Sequence, residues 1–432
     1  MTQLAVVPTR SLLLLSLLLF SIPPFALAQK KNEGQSGSPG SARLANDSVR
    51  TTAIAANSRD SIAIEQTGTL VPFFERLYHL SAGDRAPVHI VHFGDSHSAA
   101  DDWTAELRRM LKERFGDGGS GFSLAGKPFP GYRRFDVQGG GSPGWHADGL
   151  RPTSSDGYFG LGGISSSTRL EGQSIFIETE CDLLEIDYLQ QPDGGDLALY
   201  DRDRLLQRFS TKGEAGPGFA LYQPVKGRHR FVLKTLSSKP VRLFGWVADK
   251  DSGVTYETLG INGAEASVIL HWDENMLATY LRRRDPGLIV LAYGTNEAIS
   301  GWTSEKYHAM FSNVLLRIRR AIPNVPILIL GPPDSWSSYE GSRRPAAGVD
   351  RIIGAQKAAC REIGCAFWDT RERMGGAGSM RDWVQSGFAQ HDYIHMTTAG
   401  YRRLGTALFS DIMRHYELFT KIRSELSATV LQ

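Results

Sequence analysis

Residues 88–97, Val-His-Ile-Val-His-Phe-Gly-Asp-Ser-His, constrain this chain more than any other stretch. A β-branched apolar run stops at Gly-Asp-Ser, and Trp103, Leu107, Leu111 and Phe115 then recur every fourth residue until Gly116. That pattern reads as strand, tight turn and helix. A serine on such a turn stands at the carboxyl end of a sheet, near the positive end of a helix dipole, where a hydroxyl can act as a nucleophile. Gly-Asp-Ser is also ordinary turn chemistry. Ser96 therefore gains a catalytic meaning only if the rest of the chain supplies a base, an acid and donors for an oxyanion.

The C-terminal portion repeats the strand–helix rhythm. Residues 264–284 have helical spacing (Val268, Leu270, Met276, Leu277, Leu281), and Asp285-Pro286-Gly287 is a turn before the apolar run 288–293. A helix over 304–321, a strand over 325–330, a helix over 350–363, a short strand over 366–369 and a helix from 398 to about 422 follow. An earlier helix is expected around Leu70, Phe73, Phe74, Leu77 and Leu80. Strands alternating with helices predict a doubly wound, flavodoxin-like parallel sheet, with the active site outside the carboxyl ends of its strands.

Between these portions the period changes to two. Residues 174–179, 183–189, 197–200, 219–223, 229–235 and 241–248 read as short strands between Gly, Asp, Lys and Ser turns. An antiparallel β-sandwich inserted in the α/β domain accounts for them. Residues 116–149, rich in Gly, Pro and aromatics, are expected as a long loop walling the site. The resulting boundaries are 60–144 and 256–432 for the two parts of the α/β domain and 145–255 for the insert.

Residues 1–28 carry a targeting pattern: Arg10, a leucine-rich core over 11–20, and Ala26-Leu27-Ala28 as a small-x-small cleavage site. The core is too short to span a bilayer comfortably, so a signal peptide is preferred to an anchor. The mature chain is then exported, without an integral membrane span, and begins with a polar linker over 29–59. Export permits disulfides; Cys360 and Cys365 are either a local pair or two buried thiols, and no cysteine spacing resembles a zinc site. A net charge of +2 argues against an electrostatic nucleic-acid binder, which needs a concentrated basic face.

Four features lie where strands should end: Ser96, Gly263, Gly294-Thr295-Asn296-Glu297, and Asp392-Tyr393-Ile394-His395. They fill the roles of acyl transfer. His395 is the candidate base, and Asp392, three residues earlier, holds its tautomer. The N–H groups of Ser96 and Gly263 and the side-chain amide of Asn296 are the candidate oxyanion hole. Each alone has a plainer reading: turn residue, loop glycine, helix cap, structural Asp–His pair.

Together these blocks resemble the SGNH (GDSL-type) hydrolases over roughly 87–124 and 256–415. The residue after the nucleophile is His97 rather than the commoner leucine. Gly-Asp-Ser-His, with Gly253-Val254-Thr255-Tyr256 and Gly260-Ile261-Asn262-Gly263-Ala264, is similar to the periplasmic peptidoglycan O-acetylesterases. That resemblance implies a carbohydrate-binding-module-like insert and a serine esterase removing O-acetyl groups from a polysaccharide. It also implies no metal, no organic cofactor and a periplasmic or extracellular location. Trp145 is the first candidate for stacking on sugar, ahead of Tyr158, Phe159 and Trp336. Two other readings share these residues, a glycan O-acetyltransferase and a non-catalytic exported glycan-binding protein.

Overall fold

The computed structural model describes residues 63–150, 155–339 and 342–430. The signal peptide and linker expected over residues 1–59 lie outside them. Five parallel strands form the central sheet in the order Val254–Gly260, Val88–Gly94, Leu288–Ala292, Ile327–Leu330 and Ala366–Trp368; the two-residue strand Ile64–Glu65 pairs antiparallel with the last. In chain order the parallel strands run 2-1-3-4-5, the flavodoxin-like arrangement. The order reverses between Val88–Gly94 and Leu288–Ala292, and a ligand crevice belongs at that switch point.

The strands are buried throughout because both faces are covered. Ile90, Tyr256, Leu288, Val290 and Leu328 pack against helices Val71–Ser81, Asp102–Phe115 and Thr398–Val430. Their alternates Val91, Phe93, Ile289, Leu291 and Ile327 pack against helices Glu274–Arg284, Ser304–Ala321 and Gly348–Ile363. The helix expected over 264–284 is interrupted. A 3₁₀ turn, Ala266–His271, ends at Trp272, whose ring is buried against Phe93, and the Asp273 side chain caps the next helix by accepting from the Met276 N–H. Periodicity carries across such a break, because both pieces bury the same face.

The inserted sandwich begins earlier than residue 145. Strand Gly119–Leu124 already pairs with Val241–Asp249 in the second sheet, and Gln138–Gly141 and His146–Asp148 are also sheet strands. The loop expected over 116–149 is thus three strands and the two segments that connect them. Glycines at 118, 119, 121, 139, 140 and 141 hid them, since glycine carries no strand signal. One sheet has five strands, and the other has five on its main path with Gly119–Leu124 joined beside it. Ile175, Ile177, Ile186, Leu199, Phe231 and Trp246 fill the space between the sheets. The outer face of the second sheet is buried too: Phe122, Leu161, Phe244 and Val247 merge with Leu259, Trp272 and Tyr280 of the α/β portion. A sheet covered on both faces is a fixed part of the body rather than a tethered module.

All three cysteines are free thiols and buried. Burial pushes the Cys365 thiol up to about 11. Among the described residues no helix is long and apolar enough to cross a membrane.

Candidate functional site

Ser96 opens the short helix Ser96–Ala99, which lies across the ends of two adjacent strands. Two glycines in register make this approach feasible, Gly94 and Gly260. A Cβ on Gly94 would run into the Ser98 side chain, and one on Gly260 would run into the Ala99 backbone. Asp95 caps the helix by accepting from the His97 N–H at 2.9 Å. Beneath the turn, His92 bonds Tyr256 OH through Nδ1 (2.7 Å) and Ser98 Oγ through Nε2 (2.9 Å). Burial lowers the His92 pKa to about 3, so the ring is a neutral brace.

The far end of the chain brings the candidate base. Ser96 Oγ lies 3.0 Å from His395 Nε2, and His395 Nδ1 lies 2.7 Å from Asp392 Oδ2. The other carboxylate oxygen of Asp392 accepts the N–H groups of Ile394 (2.9 Å) and His395 (3.0 Å). Burial pushes the Asp392 carboxyl up, but the imidazole and these two N–H donors outweigh it and hold the carboxyl below its ordinary value. This tight turn puts Tyr393 at φ 63°, a left-handed conformation costing a side-chain-bearing residue about 1–3 kcal/mol. Trp336 holds it there: its backbone N–H donates to the Tyr393 carbonyl at 3.0 Å, and the two rings meet at 5.2 Å. Trp336, a sugar-stacking candidate in the sequence, is buried as this brace.

His97 turns inward. It is 5% exposed, its Nδ1 is 2.9 Å from Tyr401 OH, and its ring lies 5.2 Å from that of His395. Burial, with the neighbouring His395 adding to it, lowers its pKa to about 3 against the opposing pull of Asp392. His97 therefore packs against the His395 imidazole as a neutral ring.

The two remaining blocks are tied to each other. Asn296 Nδ2 donates to the Ala264 carbonyl at 2.9 Å, and the buried Glu297 accepts the Ala266 N–H at 2.8 Å. Gly263 sits beside these contacts in a turn at φ 73°, closed by the bond from the Ala264 N–H to the Ile261 carbonyl. Glu297 links the two blocks, a contact that motif reasoning passed over. The signal available was a carboxylate directly after Asn296 at a buried helix start.

A cavity of about 380 Å³ opens over Ser96 and His395, bounded by Ala99, Ala100, Asp102, Arg133, Asn262 and Tyr401 among others. Trp145 is elsewhere: it packs on the sandwich core and donates its indole N–H to the Ser174 carbonyl at 3.2 Å. Phe159 is buried, and Tyr158 packs partly buried on the main core. A larger cavity of about 850 Å³ lies near the opposite ends of the strands, lined by His89, Glu185, Asp187 and Arg284 among others. Among the described residues its lining contains neither serine nor cysteine.

Residues 237–403 match the GDSL-like Lipase/Acylhydrolase family, a span that contains Gly263, Asn296, Asp392 and His395. A solved peptidoglycan O-acetylesterase structure matches with 24% identity and a TM-score of 0.68, covering 80% of this chain and 96% of that one. A family two carbohydrate esterase from Clostridium thermocellum in complex with cellohexaose matches at 12% identity and a TM-score of 0.30, covering 68% of this chain and 98% of that one. The corresponding enzyme from Cellvibrio japonicus matches at 10% and 0.29, covering 68% and 98%. No curated protein matches by sequence.

Proposed function

From the premise that this chain carries a GDSL-like lipase/acylhydrolase domain, we propose that it is an exported serine esterase that removes O-acetyl groups from a cell-wall glycan, most simply peptidoglycan. The observation that carries the reading is the continuous relay from Ser96 Oγ through His395 to Asp392, at 3.0 and 2.7 Å. Its reach and order are those of an activated nucleophile with an oriented base.

In the first step Ser96 Oγ attacks the acetyl carbonyl carbon while His395 Nε2 takes the hydroxyl proton. The tetrahedral oxyanion is met by the N–H groups of Ser96 and Gly263 and the Asn296 amide. The first N–H groups of a helix have no acceptor within it, and Asn296 spends one N–H of its amide on Ala264, leaving the other to give. The C–O bond to the sugar then breaks, His395 returns its proton to the departing oxygen, and acetyl-Ser96 remains. Water attacks that ester under the same base, releasing acetate and restoring the serine. The negative charge of Asp392 stabilises the imidazolium formed in both steps.

The setting of the relay favours a hydroxyl-rich carrier: Asp102, Arg133, Asn262, Gln390 and Thr398 border the cavity beside Ala99, Ala100 and Met396. The solved peptidoglycan O-acetylesterase with the same fold supports the acetyl and glycan assignments.

Acetate release from O-acetylated peptidoglycan, O-acetylated xylan and an aryl acetate tests the reading. The expected result is release from the aryl ester and from peptidoglycan in preference to xylan, abolished by Ser96→Ala. Undiminished release by that folded variant would remove Ser96 as nucleophile, and a preference for xylan would overturn the glycan assignment.

A further inference from the structure

Arg133 stands at the lip of the Ser96 cavity, yet the reaction described above gives it no task. The loop that carries it is fastened on both sides of it. Arg134 is buried and donates to the carbonyls of Ser120 (2.6 Å) and Phe122 (2.7 Å), with Asp136 holding its charge at 2.8 Å. The Phe135 N–H donates to the buried Asp101 carboxylate at 2.7 Å. On the other side, Tyr132 OH accepts the Leu124 N–H at 3.3 Å, and its ring meets Phe129 at 5.4 Å.

These anchors leave the Arg133 side chain directed outward, 54% exposed, with its guanidinium 5.6 Å from the Phe135 ring. Its ion pair to Asp102 is 3.6 Å long, beyond a good hydrogen bond. Asp102 lies in the first turn of helix Asp102–Phe115, where the helix dipole already stabilises a carboxylate. Arg133 also borders a second cavity of about 270 Å³ on the sandwich side, lined as well by Lys127 and by Arg230, which is paired with Glu178.

We propose that Arg133 is a specificity-determining residue that binds a carboxylate carried by the acetylated glycan, so that the site prefers muramyl residues whose lactyl carboxylate is free to those in which it is amide-linked. The inference rests on the reading of Ser96 and its cavity as an esterase site and adds the charge of the substrate. An arginine fork matches a carboxylate with two parallel N–H donors, and a braced loop loses little freedom when it binds.

Two matched substrates test it: an O-acetylated N-acetylmuramyl saccharide with its carboxylate free, and the same compound with that group converted to the primary amide. The wild type should show a kcat/KM for the carboxylate about tenfold above that for the amide, the worth of one modest charge-assisted contact, and the preference should shrink at high salt. Arg133→Ala should bring the ratio close to one, and Arg133→Lys should keep part of it. A ratio is insensitive to damage shared by both substrates, so a folding defect does not imitate the result. Binding of the same pair to Ser96→Ala protein gives a readout independent of turnover. Equal affinity for the two, or a preference that survives Arg133→Ala, overturns the assignment of Arg133. Absence of acetate release by the wild type from every ester, with the binding preference intact, would instead overturn the esterase reading.

Discussion

Replacing Glu297 by glutamine should make the protein more stable in alkali and leave it almost unchanged in mild acid. Glu297 is completely buried; one carboxyl oxygen accepts the Ala266 N–H at 2.8 Å, and the other has no hydrogen-bond partner among the described residues. Burial pushes its pKa from 4.5 up to about 8, the charges of Asp95 and Glu265 push the same way, and the Ala266 and Glu297 N–H groups oppose them. Between those two values the folded chain keeps a proton that the unfolded chain releases, so rising pH favours unfolding. The slope is about 1.4 kcal/mol per pH unit, roughly 4–5 kcal/mol in all once the folded value is passed. Glutamine keeps the acceptor for Ala266 and does not ionise. Its NH₂ group replaces a carboxyl O–H that is equally unpartnered, so the two proteins should match near pH 5. Denaturant unfolding of both from about pH 5 to pH 9 measures the gap, which should open steadily and approach the value above. A gap independent of pH would refute the reasoning, because it would mean that Glu297 does not hold its proton in the folded chain. Glutamine also keeps the link between the Gly263 loop and the Asn296 helix, so kcat near neutrality should change little.

Other perturbations address the relay and its frame. Asp392→Asn should cost less in kcat than His395→Ala, since the carboxylate orients and stabilises while the imidazole moves the proton; aryl-acetate kinetics decide the order. Asn296→Ala should lower kcat by about two to three orders of magnitude with a smaller change in KM, the expected loss for one oxyanion donor. Arg108 is buried with Asp101 at 2.7 Å, and the same carboxylate receives Thr104 and Thr258. Arg108→Met should destabilise the fold by about 3–5 kcal/mol by stranding that charge, read as a lowered unfolding midpoint.

The alternating strands and helices were legible in the sequence because each apolar run had to fill two covered faces, and each helix showed one apolar stripe. Ser96, Gly263, Asn296, Asp392 and His395 were legible as residue types at strand ends. The sandwich strands rich in glycine were not, because their pairing partners lie far along the chain and supply the only evidence for them. Trp145 misled for a related reason: an aromatic between Gly144 and His146 looks exposed until Ser174 and the sandwich core arrive beside it.

Local chemistry thus determined the parallel sheet, the turn carrying Ser96 and the set of groups available for acyl transfer, since periodicity and turn preferences act within a few residues. Tertiary structure alone decided that Ser96 and His395, 299 positions apart, meet at 3.0 Å. It also decided that Gly94 and Gly260 in register admit the helix that begins at Ser96, that Trp336 holds the strained Tyr393 turn, and that Arg133 faces the cavity while Arg134 does not. Distances and the direction of a side chain depend on elements remote in sequence, and no local pattern encodes them.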